Sequence, residues 1–274
     1  MIVIKTSIIQ LCCTERDLAP YIGAVADVVY HGYDGGQSQW ALVDSPRLWR
    51  ISLGGRAGVV GVHMEGRSCC VKLFYDQRAW TRLRVRLGLA KARRAYRYGL
   101  RLERLGIRSP RMLGYAEQRP GQLPLIVMEL VTEAVRLDHW ISSHGVSRPL
   151  VESVARFIRH LHDMGVTHID LSPRNLMVGP TGKGFNVWLL DCEDARFRRA
   201  VPERLRLANL HHLDERLLCC VSIRDRLRFL RAYTGQKDSP WREVLGRTIE
   251  GSRSKYVREY REHLRSRSRP AWHN

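Results

Sequence analysis

Two-residue alternation is the first clear pattern along the chain. Over residues 48–62 apolar and polar side chains alternate around a glycine-bearing turn at Gly54, Gly55 and Gly58, and a third apolar stretch follows through Cys69, Val71 and Phe74. This predicts strands joined by a flexible turn. Over residues 78–105 the period lengthens: Trp80, Leu83, Leu87, Ala95, Tyr98, Leu102 and Leu105 recur at helical spacing without proline, and Gly106 supplies a stop. Strands are predicted again at 111–115 and 123–131, the second running out at Glu129, Leu130, Val131 and Thr132, where a short connection would join two lobes. A helix follows over 149–164, with Val151, Val154, Ile158 and Leu161 on one face and Gly165 closing it. Beyond Val201 the pattern predicts two or three helices and a basic tail. Residues 1–13 are apolar but broken by Lys5 and Gln10, which suits a strand better than a leader peptide. No run reaches the roughly 18 to 20 apolar residues that a membrane helix needs.

Composition sharpens this into an α+β reading. The chain has 274 residues, 44% of them hydrophobic, enough to bury the core of a two-lobed unit. We divide it into an extension with the first strands (1–45), a β-rich part with the long helix (46–131) and a larger, mainly helical part (132–274). A net charge of +19 draws in polyanions: nucleic acid, anionic lipid or phosphorylated sugar. A nucleic-acid role rests on charge alone, since there is no zinc motif and no cluster of aromatics to stack bases. The seven cysteines fall mostly in adjacent pairs and lack metal-type spacing, which points to a reducing cytoplasm.

The chemistry concentrates in one stretch. His168, Ile169 and Asp170 open a polar loop through Ser172, Pro173, Arg174 and Asn175; two short apolar strands around a glycine-rich turn at 179–184 then lead to Asp191. Phosphoryl transfer needs a carboxylate near the acceptor hydroxyl and oxygen ligands for magnesium against the nucleotide phosphates. Asp170 suits the first role; Asn175 and Asp191 suit the second. Lys72, late in a strand that follows the glycine turn, could reach the α- and β-phosphates, and Gly54, Gly55, Gly58 and Gly61 would let backbone amides approach them. Taken singly, each has a bland reading: a surface lysine, a plain turn, an Asp and Asn that cap local backbone, a packed histidine. Their order along the chain favours the chemical one.

From His168 to Asn175 the sequence resembles the catalytic loop of the protein-kinase-like superfamily, and Leu190, Asp191, Cys192 and Glu193 resemble its metal-binding aspartate motif, without the usual Phe-Gly. Gly106 to Arg111, Leu190 to Arg196 and Arg226 to Tyr233 are similar to bacterial lipopolysaccharide core kinases, which phosphorylate heptose or Kdo sugars. The resemblance implies a two-lobed protein-kinase-like fold, with a small β-rich N-lobe carrying one long helix and a larger helical C-lobe. It implies ATP and Mg2+ as cofactors, Asp170 as catalytic base, Asn175 and Asp191 as metal ligands, and Lys72 as the phosphate-binding lysine. Glu129 to Val131 would supply backbone bonds to adenine, and Arg174 would help neutralise the transferring phosphoryl group or stay solvated. The acceptor implied is an anionic glycolipid or phosphorylated sugar, met by peripheral attachment to the anionic cytoplasmic face of the inner membrane. Cys192 would lie near the nucleotide, so ATP should slow its alkylation.

Ala95 departs from the superfamily pattern. It stands where a helix glutamate would pair with Lys72, and Glu103 lies about 12 Å further along the axis at 1.5 Å per residue. A pseudokinase that serves as a binding module therefore stands as an alternative, as does a kinase with another small-molecule or protein acceptor.

Overall fold

The computed structural model describes residues 2–5, 9–13, 18–32, 47–53, 57–75, 91–118, 123–217 and 220–235. Gly54, Gly55, the first part of the predicted long helix and the basic tail lie outside them. The chain divides into two compact units, Met1–Thr132 with Leu189–Glu193, and Glu133–Trp188 with Asp194–Asn274.

The first unit is built on a seven-stranded antiparallel sheet of β1 (Ile2–Lys5), β2 (Ile9–Cys13), β3 (Leu48–Leu53), β4 (Ala57–Met64), β5 (Arg67–Phe74), β6 (Met112–Gln118) and β7 (Leu125–Glu129). Its order is β1-β2-β6-β7-β5-β4-β3. The single strand expected over 1–13 is thus a pair, with Ile2 opposite Cys13, added to the sheet through β2 and β6. Between β4 and β5 the chain turns on Glu65 and Gly66, both at positive φ (52° and 71°), the two-residue turn whose twist matches the strands it joins.

Helix α1 (Leu18–Gly32), which the apolar pattern did not reveal, buries Leu18, Ile22, Val25, Ala26 and Val29 in the same core as Val62, Val71, Leu73, Leu125 and Val127. Each large apolar side chain so buried contributes about 2 kcal/mol relative to exposure. Helix α2 (Lys91–Arg104) turns Ala92, Ala95, Tyr96, Gly99 and Leu102 inward. Gly99 has to be small here, since a Cβ would come within 2.4 Å of Met112. The helix ends at Gly106, with φ 68° and the Ile107 amide donating to the Leu102 carbonyl, as the predicted stop required.

The second unit carries a three-stranded sheet ordered β11-β10-β8, from β8 (Val135–Arg136), β10 (Leu176–Thr181) and β11 (Gly184–Leu189), and a two-stranded pairing of β9 (Val166–His168) with β12 (Ala195–Phe197). Strands β10 and β11 run further than predicted, leaving only Gly182 and Lys183 between them. Among the described residues this unit also has four helices: α3 (Leu137–His144), α4 (Arg148–Asp163), α5 (Glu203–Glu215) and α6 (Ile223–Thr234). Ser147 caps α4 by accepting from the Leu150 amide at 3.4 Å, and Pro149 sits in the first turn, where its missing N–H costs nothing. At the far end Gly165 must be glycine: its φ is 77°, and a Cβ would stand 2.1 Å from the Arg198 carbonyl oxygen.

Candidate active site

Lys72 lies on β5 between β4 and β7, opposite Val59 and Ile126. Its side chain is nine-tenths buried, and its Nζ donates to Asp191 Oδ1 and to Glu193 Oε1, each at 2.7 Å. Burial works against an ammonium here, but Glu193 and then Asp191 outweigh it and raise Lys72 above its ordinary range. Burial likewise pushes the Glu193 carboxyl up, against the pull of Lys72. Asp191 follows β11 with φ 51°, a conformation Asp tolerates better than most residues and one that concentrates at functional sites.

The carboxylate missing from α2 therefore comes from elsewhere in the chain. Ala95 is buried, 2% exposed, against a sheet that a charged side chain could not enter without a partner. Glu193, two residues after Asp191 and 7% exposed, takes that place beside the lysine.

Asp170 and Asn175 come together in the second unit. Asn175 ends a turn of 3-10 helix (Pro173–Asn175), from which its Nδ2 donates to the main-chain oxygen of Asp170 at 2.8 Å and to Oδ2 at 3.1 Å. The amide nitrogen thus faces Asp170, which turns the amide oxygen the other way, a hard ligand suited to magnesium. Asp170 Oδ1 accepts from His212 Nε2 at 2.8 Å. Burial alone would raise the Asp170 carboxyl, but the His212 bond and the nearby His168 and Arg216 hold it below its usual range.

A buried polar network supports the loop. Asn209 on α5 donates from Nδ2 to the His168 carbonyl at 2.9 Å and accepts the His168 amide on Oδ1 at 3.1 Å. His162, fully buried on α4, reaches Asn209 with one ring nitrogen (3.4 Å) and the Tyr233 hydroxyl on α6 with the other (2.7 Å). Burial lowers its pKa from the usual 6.5 to about 4. The unfolded chain takes up this proton below about pH 6.5 and the folded chain does not until about pH 4, so stability should fall as pH drops across that window, by about 3 kcal/mol. Urea unfolding from pH 7 to 4 should show this slope in the wild type. In His162→Gln the slope should be smaller; an identical slope would mean that His162 is not held neutral.

The other predicted positions are less engaged. Arg174 is 79% exposed and comes no nearer than 3.9 Å to Asp138. The Glu129 amide already donates to the Arg111 carbonyl at 2.9 Å, so that N–H is not available to an adenine ring. Gly58 sits inside the sheet between Leu53 and Leu73. Gly61 has a packing reason to be glycine, since a Cβ would enter the Trp49 ring. The expectation that nucleotide would shield Cys192 started from a reactive thiol, and the structure alters that premise. Cys192 is 3% exposed and burial pushes its thiol up to about 12, so alkylation should be slow with or without ATP. Rapid labelling of Cys192 in the nucleotide-free protein, read by peptide mass spectrometry, would contradict this.

The family model and the two curated relatives given below are of one class, phosphotransferases with a hydroxyl acceptor. The chain belongs to the lipopolysaccharide kinase (Kdo/WaaP) family, which matches residues 36–233. It is 26% identical over 137 residues to the 3-deoxy-D-manno-octulosonic acid kinase of Haemophilus influenzae, covering 46% of this chain and 56% of that protein. It is 27% identical over 201 residues to the lipopolysaccharide core heptose(I) kinase WaaP of Pseudomonas aeruginosa, covering 66% of this chain and 74% of that one. A solved structure of WaaP in complex with acyl carrier protein has a similar fold, with TM-score 0.57 at 24% identity over 92% of this chain and 98% of that one.

Proposed function

We propose that the chain is an ATP- and Mg-dependent kinase of two-lobed, protein-kinase-like architecture that phosphorylates a heptose or Kdo hydroxyl of the lipopolysaccharide core. The observation that carries this reading is the grip on Lys72: a buried cation held at 2.7 Å by Asp191, 119 residues away in sequence. A lysine so fixed presents its charge to nucleotide phosphates at little entropic cost. In this reading Asp191 and the amide oxygen of Asn175 would hold magnesium, which shields the phosphate charge. Gly58, with Gly54 and Gly55, would let backbone approach the phosphates, and the backbone of Glu129 to Val131, through groups other than the Glu129 amide, would face adenine. Asp170 orients the acceptor hydroxyl and takes its proton, Asn175 fixes that carboxylate, and Arg174 stays in reserve for the transferring phosphoryl group.

The pseudokinase alternative rests on Ala95 and on the altered metal motif; Glu193, 2.7 Å from Lys72, answers the first of these. The acceptor is inferred from the family and from charge. Arg97, Arg101 and Arg104 are exposed on α2, with Arg108 and Arg111 just beyond it. Such a surface suits an anionic glycolipid and peripheral attachment to anionic membrane, each basic residue near the lipid adding about 1 kcal/mol. No described helix is long and apolar enough to cross a membrane. The test is purified protein with ATP, magnesium and core glycolipid, read by mass spectrometry of the glycolipid. One added phosphate on a heptose or Kdo supports the proposal; ATP binding without transfer to any core sugar sinks it.

A further inference from the structure

We infer that His212 is a positioning residue for Asp170: by donating from Nε2 to Oδ1 it sets the plane in which the Asp170 carboxylate meets the acceptor hydroxyl. The inference rests on the proposed role of Asp170 and extends it to a residue 42 positions further along the chain.

The terminal torsion of an aspartate is broad and roughly two-fold, so a half-exposed carboxylate on a loop has no preferred plane of its own. The Asp170 side chain is 51% exposed, so packing does not supply one. Hydrogen bonds do, one to each oxygen: Asn175 Nδ2 at 3.1 Å from Oδ2 and His212 Nε2 at 2.8 Å from Oδ1. An ionised carboxylate only accepts, so the ring nitrogen facing it carries the proton. The Asn175 bond alone would leave the carboxylate free to swing about that contact; the second bond removes the freedom.

Helix α5 is anchored for this task. Asn209 and His212 stand three residues apart, on one face of the helix. Asn209 holds both the amide and the carbonyl of His168, while His212 reaches the carboxylate two residues later. The same helix therefore fixes the loop backbone and the side chain that the loop presents. Asn209 is itself set by His162, and His162 by Tyr233, so α4 and α6 also support the position of His212. A surface ion pair made for stability would not need this backing.

The test compares two uncharged variants that differ in reach. In His212→Gln the amide nitrogen comes about where Nε2 lies and can still donate to Asp170; in His212→Asn it comes about where Nδ1 lies and cannot. With ATP and purified core glycolipid, His212→Asn should lose about 10- to 100-fold in kcat with KM for ATP unchanged, and His212→Gln should recover most of it. Equal rates for the two variants, or a loss confined to KM for ATP, would overturn the inference. The wild type offers a second measurement that needs no variant to fold. Nitrogen-15 NMR of the His212 ring should show a proton on Nε2, and a neutral ring protonated on Nδ1 alone would also overturn it. Asp170→Ala in the same assay separates the two ideas. If that variant is fully active, the role given to Asp170 fails; if it is inactive while His212→Asn matches the wild type, only the role of His212 fails.

Discussion

Asp170→Ala should lower phosphate transfer to core glycolipid by about a thousandfold while leaving the fold and ATP binding intact. The size follows from what a positioned acid or base contributes, on the order of 10²–10⁴ in rate. The selectivity follows from where the carboxylate sits. It is half exposed and bonded to two side chains: His212 keeps access to water when it goes, and the buried Asn175 keeps its bond to the Asp170 main-chain oxygen. The held-down pKa of Asp170 adds a second expectation: the carboxylate is already ionised at neutral pH, so from neutrality upward its own titration should not limit the rate. Initial rates, ATP affinity by calorimetry and a melting curve on the same preparation test this together. Transfer within threefold of wild type would remove Asp170 from the chemistry.

Lys72→Met should cost both stability and nucleotide affinity. Glu193 is as buried as the lysine, and removing the cation leaves two carboxylates, both formerly 2.7 Å from it, with no charge between them. Breaking a buried pair from one side costs about 3–5 kcal/mol, mostly as the penalty of an uncompensated buried charge. Glu193 can escape part of that cost by taking up a proton, which its burial already favours. The double variant Lys72→Met/Glu193→Gln should therefore regain stability over Lys72→Met without regaining ATP binding. Urea unfolding and ATP titration of the wild type and the two variants separate these effects. If Lys72→Met proves as stable as wild type, the buried Lys72–Glu193 contact is not an ion pair; if it binds ATP equally well, Lys72 does not hold phosphate.

Much of this site was legible in order and spacing. Asp170 and Asn175 stand five residues apart, in a loop that must turn because Pro173 cannot continue a ladder, and the structure bonds them to each other. Asp191 at the end of an apolar strand, and Lys72 near the end of another, are local patterns that a two-residue period exposes. Glu193 was visible as a residue but not as a partner, because a helix glutamate was expected and Ala95 stood in its place. His212 and Asn209 gave no local signal: two polar residues on a helix of mixed pattern look like a solvated face. Helix α1 was missed for a different reason: apolar residues spread around it leave the helical period weak, although Leu18, Ile22, Val25 and Val29 are its buried stripe.

What the sequence by itself determined is therefore the local chemistry: a lysine on a strand, an Asp-x4-Asn loop, a hairpin that ends in Asp, and helices stopped by Gly106 and Gly165. Short-range sterics and hydrogen bonding settle these within a few residues, so they can be read in order along the chain. Only the tertiary structure decided which charge answers which. Lys72 meets Glu193 across 121 residues and Asp170 meets His212 across 42, pairings made when sheet and helices bury their apolar faces and bring distant side chains within 3 Å. Burial then makes the Lys72–Glu193 pairing matter, since a charge removed from water must find a partner wherever the packing has placed one.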